Sequence, residues 1–251
     1  MKIRSHHIII ILVSAFLFSC KKDNYEEPKS LLSGRVVYKG EAIGLEYNQV
    51  PYQLYQFGFG KIGAIGVIKD PDFPNDPNRT LTLTTTFAQD GSYSSLLYDG
   101  DYKLTMAASQ GPFMWAQTGG KADTVNITMR GSQTLDLEVI PYYMLRTPKI
   151  AKGGLGVTAS FKAEKIITDA TNGKAIERVS LYINKTQFVS GADNIAKTDV
   201  AGSAVTDPNN ISISVAVPTI SPTQNYIFAR IGLKVAGVED MIFTPVTKIT
   251  L

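Results

Sequence analysis

The amino-acid sequence predicts an all-β protein built as two consecutive antiparallel β-sandwiches, over residues 29–141 and 142–251, behind a leader and a flexible tether. Three observations predict it. Apolar residues recur at every second position in run after run, the period of a strand with one buried and one wet face. Turn residues punctuate these runs at short intervals. No segment shows the capped amphipathic pattern that a helix needs.

The leader covers residues 1–19. Lys2 and Arg4 make its start positive, and Ile8 to Phe18 is an apolar run of eleven residues interrupted only by Ser14 and Ala15. Spanning a bilayer core takes roughly 20 apolar residues, so the run has the length of a signal-peptide core instead. Small Ser19 stands just before Cys20, with Leu17 two positions before Ser19, which is the pattern of a bacterial lipobox. The expectation is cleavage before Cys20, acylation of its thiol and attachment to a membrane through that lipid. Residues 20–28 include Lys21-Lys22-Asp23-Asn24-Tyr25-Glu26-Glu27-Pro28, a charged tether without apolar period that cannot order itself by burial.

Cleavage also narrows the chemistry. His6 and His7 are the two histidines and both leave with the leader; Cys20 is the single cysteine. The mature chain then has neither imidazole nor free thiol, which excludes a Ser-His-Asp triad, a Cys-His pair, zinc sites of the usual ligands and disulfides. The expectation is a protein that is not an enzyme, with no catalytic residues, no metal site and no cofactor. Of 25 basic and 22 acidic residues, loss of Lys2 and Arg4 leaves 23 basic. Such balance provides no field for nucleic acid, and none is expected as a partner.

In the first domain Leu32, Gly34, Val36 and Tyr38 share one face, then Val125, Ile127 and Met129, then Leu135, Leu137 and Val139. Asp90-Gly91 and Asp99-Gly100, nine residues apart and each followed by a tyrosine (Tyr93, Tyr102), read as hairpin turns. The boundary falls near Ile140-Pro141-Tyr142-Tyr143. In the second domain Val157, Ala159, Phe161 and Ala163 form one face. Val179, Leu181 and Ile183 oppose Arg178, Ser180 and Tyr182, and Ile211, Ile213, Val215 and Val217 oppose Ser212 and Ser214. Asn172-Gly173 and Ala236-Gly237 mark turns.

The longest irregular stretch, Gly58 to Arg79, holds four glycines and three prolines. Its Gly58-Phe59-Gly60-Lys61-Ile62-Gly63 fits a dinucleotide-binding spacing, but that motif must open a helix in a parallel unit, and prolines at 71 and 74 follow in an antiparallel context. A glycine-rich loop is the better reading. Asp70, Asp72 and Asp76 lack the glycine and closing glutamate of a calcium loop and read as a solvated acidic loop.

Ser33-Gly34-Arg35-Val36-Val37, Phe87-Ala88-Gln89-Asp90-Gly91-Ser92-Tyr93 and Gly100-Asp101-Tyr102-Lys103-Leu104 together resemble the carboxypeptidase-regulatory-like sandwich, a transthyretin-like relative of the immunoglobulin fold. Asp136-Leu137-Glu138-Val139-Ile140-Pro141-Tyr142 and the lipobox resemble a Bacteroidetes surface lipoprotein family of unknown function. Val179-Ser180-Leu181-Tyr182-Ile183 and Tyr226-Ile227-Phe228-Ala229-Arg230-Ile231-Gly232 are similar to a fibronectin-type or immunoglobulin-like partner domain. The resemblance implies a lipid-anchored protein on the outer face of the outer membrane. It also implies association with glycan import of the starch-utilisation type, hence with a TonB-dependent transporter and its partner lipoprotein. It brings no catalytic residue.

Gly111-Pro112-Phe113-Met114-Trp115 contains the single tryptophan. On a loop at a sandwich end, Phe113 and Trp115 suit stacking on a sugar; alternatively they close the core or fill the domain interface. Tyr142 and Tyr143 offer the same two readings. Asp123-Thr124-Val125 matches a short O-glycosylation signal of Bacteroidetes secreted proteins, with Thr124 as acceptor. The expected function is accessory glycan binding for an import system. The alternative is a structural protein of the envelope that docks onto other proteins and binds no sugar. An exposed Trp115 favours the first, an aromatic buried between the domains the second.

Overall fold

A computed structural model describes residues 26–56, 82–107, 110–115, 117–118 and 121–251. Cys20, the Gly58–Gly63 motif and Asp70, Asp72 and Asp76 lie outside the described residues.

Two β-sandwiches follow one another. In the first, Ser30–Tyr38 is the central strand of one sheet. It pairs antiparallel with Ser92–Leu97, placing Leu31 opposite Leu96, and antiparallel with Glu41–Ala42. It also pairs in parallel with Gln133–Thr134 and with Leu137–Glu138. The facing sheet runs Val125–Met129, Gly100–Thr105, Pro51–Gln56, Thr82–Thr86, all antiparallel. Leu32, Val36, Leu54, Leu104, Met129 and Leu137 fill the space between, with Tyr52, Phe87 and Tyr93 in mutual ring contact at 4.8 to 5.8 Å. Such clusters bring large apolar areas out of water and prefer tilted or edge-on geometry. Burial pushes the Tyr93 hydroxyl far up its pKa scale, and it donates to the Leu135 carbonyl at 2.6 Å.

The parallel pairings depart from a purely antiparallel sandwich. Side-chain alternation reports which face is buried and is blind to strand direction. The two Asp-Gly pairs also differ from expectation. Each lies between strands of different sheets: Thr82–Thr86 precedes Asp90-Gly91 and Ser92–Leu97 follows it, and Gly100–Thr105 follows Asp99. They are corners, not hairpins. An Asp-Gly pair specifies a local reversal, and distant contacts decide what the next strand joins. Gly91 has φ +77°, and a Cβ there would lie 2.2 Å from the Ile43 carbonyl oxygen. Asp99 Oδ1 accepts from Ser30 Oγ at 2.5 Å and from the Gly131 amide at 3.0 Å, fixing the second corner to both sheets.

The second sandwich pairs Tyr143–Gly153, Gly156–Lys165 and Ile211–Ala216 in one antiparallel sheet. The other sheet runs Ala196–Ala201, Ile176–Asn184, Tyr226–Val235, Met241–Phe243, with Thr247–Thr250 also on Tyr226–Val235. Val157, Ala159, Phe161, Ile211, Ile213 and Val215 point inward as their period requires. Ile176–Asn184 does not keep a wet face: Ser180 and Tyr182 are as buried as Leu181. Tyr182 belongs to a second small core with Val189 from the loop after its strand and with Met241 and Phe243 from another strand of the same sheet. Gly202–Ala204 is the single helical turn, a 3₁₀ turn, among the described residues. No helix among them is long and apolar enough to cross a membrane.

One continuous apolar cluster joins both sandwiches, from Leu32 and Trp115 to Val157 and Ile249. The Phe243 amide donates to the Gly44 carbonyl at 2.9 Å, forming a β-bridge between the domains. Arg146 donates to Glu164 Oε2 at 2.6 Å within its own domain and reaches Glu41 of the other.

Candidate functional site

The sequence-derived aromatic candidates part company in the structure. Trp115 is 7% exposed, with Nε1 donating to the Asp123 carbonyl at 2.9 Å. Phe113 is buried, and so is Tyr143, whose hydroxyl donates to the Lys174 carbonyl at 2.9 Å. These three rings fill the core instead of offering a face, which corrects the expectation of a Phe113–Trp115 stacking platform. A large ring beside strands that already bury an apolar face gains more from packing than from water. Tyr142 is half-buried. Thr124 is exposed, just before the strand Val125–Met129.

Tyr142 lines a cleft of about 230 Å³ at the junction, together with Gly111, Phe113, Thr171, Asn172, Lys174, Gly237 and Val238. Four chain segments build it. The Tyr142 amide donates to the Pro112 carbonyl at 3.2 Å and its carbonyl accepts from Ile166 at 3.0 Å, fixing the linker. Asp169 Oδ1 accepts from the amides of Thr171 (3.1 Å) and Asn172 (2.8 Å), which shapes the Asn172-Gly173 turn. Short polar side chains commonly stabilise turns in this way. The Ala236-Gly237 turn forms another wall.

The Gly111 loop is held across the domains. Its amide donates to Asp240 Oδ2 at 2.8 Å, and Asp240 is 5% exposed. Gly111 has φ +80°, and a Cβ there would meet the Phe113 ring at 2.5 Å, so this position needs glycine on two counts. Burial pushes the Asp240 carboxyl up, with neighbouring Glu239 adding to the effect, while the Gly111 amide and Lys234 oppose it. Lys174 Nζ lies 5.8 Å from the centre of the Tyr142 ring, within cation–π range. Burial raises the Tyr142 hydroxyl pKa, so the phenol is neutral at physiological pH and acts as a hydrogen-bonding group. The cleft thus combines two aromatic rings, those of Tyr142 and Phe113, with one cation and two small polar side chains.

Sequence reasoning missed the residues that bind the junction together. Arg230 is 1% exposed and donates to the carbonyls of Thr244 (2.6 Å), Leu45 (2.8 Å) and Gln89. Its guanidinium lies 4.5 Å from the centre of the Phe243 ring. Desolvation pulls its pKa down to about 10, partly offset by Glu46 and Asp90, and it remains charged at neutral pH. No local signal marks it. Tyr47 and Phe188 were missed as well, because they meet only after the domains dock.

Among the described residues no group of three or more His, Cys, Asp or Glu side chains could hold a metal ion.

Two family profiles cover the chain in tandem. Residues 30–140 match "Protein of unknown function (DUF3823) N-terminal domain", and residues 143–248 match "Domain of unknown function (DUF3823_C)". The chain belongs to the DUF3823 family. A DUF3823 family protein from Parabacteroides merdae ATCC 43184 has a similar structure, with 28% identity, TM-score 0.70, and 90% of this chain and 100% of that one covered. Another from Bacteroides ovatus ATCC 8483 gives 26% identity and TM-score 0.70, over 89% of this chain and 100% of that one. A Bacteroides uniformis ATCC 8492 protein described as a "putative carbohydrate binding protein" shares the fold at 17% identity and TM-score 0.64, with 89% and 100% covered. No curated protein matches the chain. These descriptions of DUF3823 relatives name no enzymatic activity.

Proposed function

We propose that this DUF3823 protein is a carbohydrate-binding lipoprotein, held by acylated Cys20 on the outer face of the outer membrane and accessory to a polysaccharide import system. The observation that carries binding is the junction cleft. It offers the ring of Tyr142 beside Lys174, with Thr171 and Asn172 on the wall, a mixture of one flat apolar surface and several hydrogen-bonding groups. Sugars need both, because each ring carries an apolar C–H face and a rim of hydroxyls. Carbohydrate binding is also the role given to a protein of the same fold from Bacteroides uniformis.

The anchor rests on the leader. The apolar core Ile8–Phe18, Ser19 and Cys20 supply what cleavage and acylation require, and each buried lipid methylene contributes roughly 0.8 kcal/mol to membrane attachment. The import role, and a TonB-dependent transporter with its partner lipoprotein as neighbours, follow from the resemblance given above. So does the carboxypeptidase-regulatory-like character of the first domain.

A glycan array probed with the full chain in detergent tests the reading. Retention on at least one polysaccharide, lost in Tyr142→Ala and kept in Trp115→Phe, is the expected result. Absence of retention on every glycan overturns it. Cys20→Ala should move the protein from the membrane to the soluble fraction; unchanged membrane retention removes the lipid anchor.

One observation favours a second reading, in which the protein docks onto envelope proteins and binds no sugar. Trp115 and Phe113, the rings that sequence offered for stacking, are buried. Recovery of the transporter pair by the full chain, with no glycan retained, would establish that alternative.

A further inference from the structure

We infer that the junction cleft selects an acidic sugar, one residue of which sets its carboxylate or sulfate on the Lys174 ammonium. The inference rests on the carbohydrate reading above and adds the charge class of the ligand. Lys174 is the one charged side chain among the described residues that line the cleft. Its Nζ stands between two walls, 5.8 Å from the centre of the Tyr142 ring and 3.8 Å from where a Cβ on Gly237 would lie. Among the described residues no carboxylate forms an ion pair with it. An ammonium has three donors, and a ring near the limit of cation–π contact, about 6 Å, satisfies little of that capacity. An anionic oxygen in the cleft forms a short charge-assisted hydrogen bond instead.

The lysine is held from behind. The Tyr143 hydroxyl donates to its carbonyl at 2.9 Å, and the Ala236 amide donates to the next carbonyl, that of Ala175, at 3.0 Å. The Gly173 amide donates to the Asp169 carbonyl at 2.8 Å and closes the turn just before it. With the main chain fixed on both sides, little ordering remains for the moment a ligand arrives. Asn172 Nδ2 is engaged by Asp169 Oδ1 at 3.1 Å, which leaves Asn172 Oδ1 to accept from a sugar hydroxyl. Thr171, exposed beside it, adds a hydroxyl. The cleft volume of about 230 Å³ is below the roughly 300–1,000 Å³ of pockets that take drug-sized ligands, and suits a single sugar residue.

The acids on the segments that build the cleft are Asp169, Glu239 and Asp240, and none of them lines it. Asp169 Oδ1 binds three donors of its own turn. Asp240 lies buried behind Gly111, bonded to that amide, with Lys234 as a neighbouring cation. Lys234 in turn is committed to the Val238 and Glu239 carbonyls. Lys174 therefore sets the charge that a ligand in the cleft meets. The chain as a whole, with 25 basic and 22 acidic residues, is close to balance. Diffuse attraction to a polyanion is correspondingly weak, and salt screens it further at exposed lysines.

Affinity electrophoresis of the full chain in detergent, at physiological salt, through gels of polygalacturonate, alginate, carrageenan or amylopectin tests this. Retardation should appear in at least one of the three acidic gels and be weaker or absent in amylopectin. The two polyuronates and the sulfated carrageenan separate the two anionic groups. Lys174→Gln should weaken that binding about tenfold or more, the scale of one hydrogen bond to a charged group, with the melting temperature unchanged. Lys174→Arg, which keeps the charge, should retain most of it. Lys152→Gln, at an exposed position of the strand Tyr143–Gly153, should bind like wild type. Full binding by Lys174→Gln, an equal loss in Lys152→Gln, or retardation in amylopectin as strong as in the acidic gels overturns the inference and leaves the carbohydrate reading intact. Unretarded passage through all four gels also overturns the inference, and failure on the glycan array as well overturns the carbohydrate reading beneath it.

Discussion

Arg230 Nη1 donates to the Leu45 carbonyl at 2.8 Å, a bond between side chain and main chain across 185 residues of sequence. Among the described residues no carboxylate pairs directly with this buried guanidinium; main-chain carbonyls from both domains and the face of Phe243 surround it. A desolvated cation is tolerated only where dipoles replace its water. Here those dipoles come from Leu45 and Gln89 on one domain and Thr244 on the other, so the cation is satisfied only when the domains are docked.

Removing that side chain should therefore be expensive. Arg230→Met leaves the Leu45 and Thr244 carbonyls without their side-chain donor, and each buried unpaired group costs about 1–3 kcal/mol. We expect a total loss of about 3 kcal/mol, read by urea unfolding. Arg230→Lys should fall between, since one ammonium lacks the planar fork that reaches several carbonyls. A change under about 0.5 kcal/mol, the level of ordinary surface substitutions, would contradict the assignment.

Trp115→Phe separates packing from recognition. It removes the Nε1 bond to the Asp123 carbonyl and part of a buried ring. Stability should drop by about 1–2 kcal/mol, with glycan retention unchanged. Loss of retention at full stability would mean that the ring meets ligand after all.

Gly111→Ala should damage the junction from the loop side. The residue has φ +80°, and the new methyl would press on the Phe113 ring at 2.5 Å. We expect roughly 2 kcal/mol of destabilisation, measured by thermal melting, and weaker binding at the Tyr142 cleft.

Two carboxylates should give opposite pH signatures. Burial raises the Asp240 pKa above its ordinary value of 3.8, so the folded state holds that proton more tightly than the unfolded chain does. Its contribution to stability is greatest below 3.8 and shrinks as pH rises through the folded-state value. Asp199 is the reverse: burial works to raise it, but the Ser180 hydroxyl at 2.6 Å and Lys197 at 2.9 Å outweigh that and lower it. Its contribution is present above 3.8 and is lost as pH falls through the folded-state value. Relative to wild type, Asp240→Asn should fare better at neutral pH than in acid, and Asp199→Asn better in acid than at neutral pH. Parallel urea titrations across that range decide it.

Strand faces were legible in the sequence wherever a strand has one wet side. Val125, Ile127 and Met129, or Ile211, Ile213 and Val215, announce themselves by period alone. Tyr182 did not, because the covering side chains Val189, Met241 and Phe243 come from elsewhere in the chain. The Asp-Gly corners were legible as turns but not as crossings between sheets, since pairing depends on distant partners such as Ser30 and Gly131 for Asp99. The site was the least legible part. Tyr142 could be picked out beside the boundary proline. Arg230 lies in a segment whose only mark in the sequence is its likeness to an immunoglobulin-like strand, and Tyr47 and Phe188 share no local pattern. Junction residues are specified by docking, which leaves no periodic trace in the chain.

Differential scanning calorimetry of the full chain tests most directly whether the two sandwiches act as one unit with a sealed junction. The continuous apolar cluster and buried Arg230 predict a single cooperative transition in the wild-type protein and two separable transitions in Arg230→Met. Two independent transitions already present in wild type, unshifted by the substitution, would contradict it.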